Sequence, residues 1–228
     1  MSRGLGDVYK RQTNNYGGTS GKYWNSAGTN NWSSASLKTE LNGAYLNTLL
    51  NTSNVNSKLS SGIANAKWHL GGASGANYQT LTTEGIYREE RNTSAIYSGN
   101  PSSIYAQVGL MYPSDYGYAT VGGTTTNKSS CREKELYNWD SSSYSDCKNN
   151  DWLFTSQSSF VNSVEWLLSP YSSNSDDAAR LNSSGYVNLN GGGVVYLFAV
   201  RPTFYLDSSV LKIVGTGDGT KDNAYRVG

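Results

Sequence analysis

WLLSPYSSNSDDAARLNSSGYVNLNGGGVVYLFAVRPTFYL, residues 166–206, sets short apolar runs between polar, glycine-bearing turns and closes on Val200-Arg201-Pro202. Within it, ARLN and YVNLN read as the two arms of a hairpin. Ser183-Ser184-Gly185 is then a three-residue loop with Gly185 at the left-handed position. The strand period of two puts Leu181, Val187 and Leu189 on one face, and Arg180, Asn182, Tyr186, Asn188 and Asn190 on the other. Gly191-Gly192-Gly193 is expected to turn the chain into VVYLFAV, an apolar run suited to a central strand covered on both faces. Pro202, which has no N–H, should end that ladder. Arg201 lies in a strand too apolar to hold an unpaired charge, so a carboxylate or backbone carbonyls should pair with it. One face is scaffold and the other is display.

Upstream, SLKTELNGAYLNTLLN places Leu37, Leu41, Tyr45 and Leu49 at i+4 spacing behind Ser36, a suitable N-cap, which predicts an amphipathic helix over about 36–50. Its apolar stripe is read as a core face. ANAKWHLGG reads as a strand stopped by Gly71-Gly72. TTEGIYREERNT predicts a short helix with Thr83 as cap and Glu84 in the first turn. YAQVGLMYPSDYGYAT gives a buried strand at about 106–112, broken by Pro113 and followed by an aromatic-rich turn. Residues 121–150 form a polar excursion, DWLF begins the return, and the last third reads as short strands. Before the helix, Tyr16, Tyr23, Trp24 and Trp32 are candidate anchors in a turn-rich segment. There is no repeat of fixed period, which counts against a solenoid or propeller.

The 228 residues carry a formal net charge of +1 with only 15% charged side chains, which argues against a nucleic-acid or acidic-lipid surface held by counterion release. Ser, Asn, Thr, Gly and Tyr fill the gap, as in secreted and surface-displayed bacterial β-rich proteins. Cys131 and Cys147 lie in a polar loop that suits an oxidising compartment and a disulfide, the alternative being two reduced thiols. Two cysteines and one histidine do not make the usual four-ligand zinc site without carboxylates, and no cofactor is expected. No stretch reaches the roughly eighteen apolar residues of a membrane span. The opening MSRGLGDVYKRQ resembles a translated sequencing adapter, which makes residues 1–12 a non-native segment and residues 13–228 a single domain.

WLLSP followed by a Ser/Asn-rich loop, SSGYVNLNGGG and AVRPTFYL resembles the C-terminal core of bacterial C-type-lectin-like domains. That group includes surface proteins of gut bacteria and, more distantly, the variable proteins of diversity-generating retroelements and the formylglycine-generating enzymes. VGLMYPSDYGYAT, the cysteine loop, NNDWLF and KIVGTGDGTKDNAYRV are similar to one subgroup of those surface proteins, whose members often carry a prepilin-like N-terminus. The resemblance implies an α+β C-type-lectin-like fold: a small, twisted, mostly antiparallel sheet, one or two helices and long loops. It also implies a non-enzymatic role in adhesion or binding of a glycan or protein ligand, at the bacterial cell surface or outside the cell. A pilin-like structural subunit is the alternative, and a formylglycine-generating type of enzyme comes third. Two departures matter. GNPSS lacks the Glu or Gln lead residue of the calcium-binding lectin motif, and Asn138-Trp139-Asp140 has a different order, so a calcium-dependent sugar site is not supported.

The outward hairpin set Arg180, Asn182, Tyr186, Asn188 and Asn190, with Tyr171, Asn174 and Asp176 from the preceding loop, is the candidate binding surface. Its aromatic and amide groups suit stacking on sugars or hydrogen bonding to peptides; the plain alternative is a solvated sheet face. No catalytic residues are assigned. His69 lacks an orienting partner and a nucleophile in the sequence pattern, and is read as a strand histidine. Glu84, Arg88, Glu89, Glu90 and Arg91 read as helical ion pairs. Asp218 and Asp222 in GTGDGTKD fail the EF-hand pattern and read as a turn.

Overall fold

Neighbouring residues of one strand feed two different cores. Trp166 and Leu168 pack into one cluster of buried side chains while Leu167, between them, packs into a second, as the two-residue period of a strand requires. The computed structural model describes residues 16–18, 20–51, 62–123, 126–155 and 164–207. Residues 1–12, Asp218 and Asp222 lie outside the described residues.

A 3-10 turn, Trp32–Ser34, leads into helix α1, Ser36–Glu40, a π-helical segment, Leu41–Tyr45, and α2, Leu46–Asn51. Then come β1, Ala66–His69; α3, Thr83–Arg91; β2, Ser103–Ala106; β3, Val108–Leu110; and α4, Pro113–Ala119. The cysteine excursion holds α5, Lys128–Arg132, 3-10 turns at Leu136–Asn138 and Ser142–Tyr144, and α6, Ser145–Asn149. Helix α7, Trp152–Thr155, precedes β4, Glu165–Pro170; β5, Asp177–Leu181; β6, Val187–Gly193; and β7, Pro202–Phe204. Among the described residues the strands form three small antiparallel sheets, β1-β2, β3-β7 and β4-β5-β6. The architecture is α+β.

The helical stripe behaves as its spacing predicts: Leu37, Leu41, Tyr45 and Leu49 are all buried, in the first core, with Trp24, Trp32, Trp68 and Trp166. Ser36 is not the cap. It is the first helical residue, and its hydroxyl accepts the Ser26 N–H at 2.9 Å; the Asn31 side chain caps the 3-10 turn one step earlier instead. In α3 the cap is Thr82, which accepts the Gly85 N–H at 3.2 Å, while Thr83 is buried against Gly117 of α4. Residues 113–119 are a helix rather than a turn. Pro113 sits at the start, where its missing N–H costs nothing, and the Asp115 carboxylate accepts the Tyr112 N–H at 3.0 Å.

The hairpin of β5 and β6 has the expected register, with Leu181 opposite Val187 and Arg180 opposite Asn188. Gly185 in its loop has φ +93°, the left-handed conformation that glycine adopts without a Cβ penalty. Leu181, Val187 and Leu189 all enter the second core, with Ala179, Ile86, Met111, Tyr116, Trp139 and the cysteines.

Two expectations downstream are corrected. The triple glycine does not turn the chain. Gly192 and Gly193 continue β6 opposite Ala178 and Asp177, after a register shift between Ala178 and Arg180. Gly191 allows the shift: its φ is +62°, and a Cβ there would lie 1.8 Å from the Ala178 carbonyl oxygen. Consequently VVYLFAV is no central strand. Val194 is buried, but the Tyr196 N–H closes a turn onto the Gly193 carbonyl at 2.9 Å, and Val195, Tyr196 and Leu197 are exposed. Pro202, in turn, opens β7 opposite Leu110 instead of ending a ladder; the start of a strand is a position where a missing N–H is tolerated.

Candidate functional site

The polar face of the hairpin is not a single open surface, because the three-stranded sheet has packed layers on both sides. Ala178 faces the first core and Ala179 the second. The eight residues read from the sequence as a binding surface therefore fall into three groups.

The first group organises loops. Asn174 accepts the N–H groups of Asp176 and Asp177 at 3.3 and 3.0 Å, and its amide donates to the Asp177 carboxylate. Asp176 is exposed, with its carbonyl accepting the Val194 N–H. Asn182 accepts the Ser183 N–H at 2.8 Å inside the hairpin loop. Asn188 accepts the Gly191 N–H at 3.0 Å across the register shift.

Tyr171 and Tyr186 form a second group, at the margin of the second core. Tyr171 is buried. Two tyrosines from distant segments, Tyr78 and Tyr137, join them. Ring centroids run Tyr171–Tyr78 at 6.4 Å, Tyr78–Tyr137 at 5.6 Å and Tyr137–Tyr186 at 5.5 Å, each pair edge to face. That arrangement is the one aromatic quadrupoles favour, and it spends the ring faces on one another.

The third group remains available. The Arg180 guanidinium lies 5.3 Å from the centroid of Phe198, whose other neighbours are Trp166 at 4.6 Å and Tyr196 at 5.9 Å. Gly192 makes room for it, since a Cβ there would meet an Arg180 nitrogen at 2.6 Å. Asn190 is half-buried on the same strand as Asn188. Next to this stack the turn exposes Tyr196 (56%), Val195 (48%) and Leu197 (42%), together with Tyr23 (43%). Lys22 holds Tyr23 in place: its N–H donates to the Phe198 carbonyl at 2.8 Å, and the Phe198 N–H returns to Lys22 at 3.2 Å. Sequence patterning missed Val195, Tyr196 and Leu197 because VVYLFAV is apolar enough to be a core strand, and Tyr23, read as an anchor, is exposed instead.

Beneath the surface sits a buried polar cluster. Arg201 donates to Glu165 Oε2 at 2.9 Å and to the Leu153 carbonyl at 3.2 Å, which is the pairing expected of it. Burial raises the Glu165 carboxyl to about 7, with Arg201 opposing. Burial also pushes Asp151 well above the usual carboxylate range, against the N–H groups of Leu153 and Phe154 and the charge of Arg201. Glu84 and Arg88 form the exposed i, i+4 pair at 2.6 Å. Glu90 also forms an ion pair, with its neighbour Arg91 at 3.0 Å, but not on a solvated face. It is fully buried, accepts the Ser114 N–H at 2.8 Å at the start of α4, and is raised to about 7 by burial and by Asp115. His69 sits in β1 with its backbone bonded both ways to the Tyr112 hydroxyl, and burial lowers its pKa. Cys131 and Cys147 are joined in a disulfide inside the second core. Trp139, between Asn138 and Asp140, is buried 5.3 Å from Tyr116.

Among the described residues no group of three or more His, Cys, Asp or Glu side chains is placed to hold a metal ion, and no helix is long and apolar enough to cross a membrane. Comparison with protein-family models, with curated proteins and with solved structures finds no match to this chain.

Proposed function

We propose that this chain is a non-enzymatic, C-type-lectin-like domain displayed outside a bacterial cell, where it binds a ligand in adhesion. One observation carries the reading: Tyr23, Val195, Tyr196 and Leu197 present apolar and aromatic surface beside the Arg180–Phe198 stack. A contiguous apolar patch rimmed by polar groups is characteristic of an interaction site, and aromatic and arginine side chains dominate the energetics of such sites. Arg180 comes to this surface from the set read in the sequence. The small antiparallel sheets, the α1–α2 helix and the long supported excursions are in keeping with the lectin-like fold. The disulfide is in keeping with an oxidising compartment.

Binding of the full chain to a glycan array and to host-cell surfaces tests this. Tyr196→Ser with Leu197→Ser should abolish capture of any ligand found, while melting stays near that of the parent. A ligand held equally by parent and variant would move the site elsewhere. The same exposed patch also suits a pilin-like subunit, in which it would pack against a second copy. Concentration-dependent self-association, lost in the same variant, would favour that second reading.

A further inference from the structure

A second surface, remote in sequence from the hairpin, carries cations stacked on tyrosines. Helices α3, α4 and α5 bring together Arg91, Tyr87, Tyr118, Arg132 and Lys128. The Arg91 guanidinium lies 3.5 Å from the centroid of Tyr87, the Tyr87 and Tyr118 rings meet edge to face at 6.2 Å, and Arg132 lies 4.9 Å from the centroid of Tyr118. Arg91 is already engaged, donating to Glu90 Oε2 at 3.0 Å and to the Tyr87 carbonyl at 3.2 Å, whereas stacking fixes the Arg132 guanidinium plane and leaves its N–H fork for a planar or tetrahedral anion.

The charges at one end of this row are not neutralised. Lys128 and Arg132 stand at i, i+4 on α5, a like-charge spacing that destabilises a helix. Neither enters an ion pair among the described residues, and the buried Arg132 Nε has no hydrogen-bond partner. The acidic groups around them are engaged: Glu84 with Arg88, Glu90 with Ser114 and Arg91, Asp115 with the Tyr112 N–H, and Asp146 with the Thr126 N–H. Glu133 follows Arg132 at the helix C-cap. Partial burial and the like charge of Arg132 lower the Lys128 ammonium below its usual range.

We propose that Lys128, Arg132 and the Tyr118–Tyr87 pair form a binding face for an anionic glycan, with the two cations taking sulfate or carboxylate groups and the tyrosines contacting the sugar rings. This face is local: the whole chain has a net charge of only +1, so a general polyanion affinity is not expected. It is independent of the Tyr196 patch.

Titration calorimetry of the full chain with a size-defined dextran sulfate oligosaccharide tests the face, with uncharged dextran of equal length and oligothymidylate as comparators. Dextran sulfate should bind and weaken as salt rises, because exposed charges are screened. Lys128→Gln and Arg132→Gln should each weaken it, and the double variant should do so by about tenfold or more, the scale of charge-assisted contacts. Arg88→Gln, a cation already paired on α3, should change affinity less than about twofold. Tyr196→Ser should leave it unchanged, which separates this face from the adhesion patch. Melting of each variant near that of the parent excludes unfolding as the cause. No binding of dextran sulfate, equal binding of uncharged dextran, or equal binding by the double variant would overturn the proposal. So would oligothymidylate binding as tightly, which would make the face a phosphate-backbone reader.

Discussion

Arg201 and Glu165 meet at 2.9 Å with both side chains shut away from solvent, and they join β4 to the residue that precedes β7. Removing one partner strands the other in a low-dielectric site, which typically costs about 3–5 kcal/mol. Arg201→Met should therefore lower stability by about 3 kcal/mol at neutral pH. The double variant Arg201→Met/Glu165→Met should regain most of that loss, since apolar replacement of a buried pair is often neutral. Denaturant unfolding of the three proteins measures it, and a double variant no better than the single would show that the pair is not the source.

Stability should fall as pH rises across the neutral range. Glu90 and Glu165 both have carboxyls raised to about 7 in the folded chain, through burial. Between the unfolded carboxylate pKa, about 4.3, and about 7, the native state holds protons that the unfolded chain has released. The stabilisation is full below that window and lost as pH rises through it. The melting temperature should be higher at pH 5 than at pH 8, and Glu90→Gln should flatten the difference. A melting temperature that rises from pH 5 to pH 8 would contradict the burial assigned to both groups.

Adjacent residues of β6 should respond in opposite ways. Val187 is fully buried in the second core, so Val187→Asp should cost several kcal/mol, about the cost of burying an unpaired charge. Asn188 spans the register shift with one hydrogen bond to Gly191, so Asn188→Ala should cost about 1 kcal/mol. Chemical denaturation that ranked them the other way would place the hairpin one residue out of register.

Two glycines should also part company. Gly191→Ala would set a Cβ 1.8 Å from the Ala178 carbonyl oxygen at positive φ, which the hairpin cannot absorb. Gly43→Ala meets nothing within 4 Å. It lies in the helical run, where Ala is better than Gly by about 1 kcal/mol, so its melting temperature should rise by a few degrees. A stable Gly191→Ala protein would mean that the register shift is not held there.

Intact mass before and after reduction should show one bridge between Cys131 and Cys147. Replacing both by Ser should cost about 3 kcal/mol, the loop-closure value for a span of this length. Two thiols alkylated without reductant would refute the bridge.

The local chemistry of the chain was legible without coordinates. The i+4 stripe from Leu37 to Leu49, the Ser183–Gly185 loop, the inward set Leu181, Val187 and Leu189, the Arg201 partner and the cysteine pair all rest on period, turn residues or the cost of an unpaired charge. Each is a constraint acting within a few residues or on one side chain. The tertiary structure decided what lies opposite. VVYLFAV has the composition of a core strand, but β6 already fills the sheet position through Gly193, so three of its side chains face solvent. Period puts Tyr186 on the polar face and the preceding loop offers Tyr171, yet Tyr78 and Tyr137, from distant segments, close around them. Glu90 looks like a surface helix carboxylate until α4 sets its first turn against it. Period tells which residues share a face. It does not tell what covers that face, because the covering groups come from elsewhere in the chain.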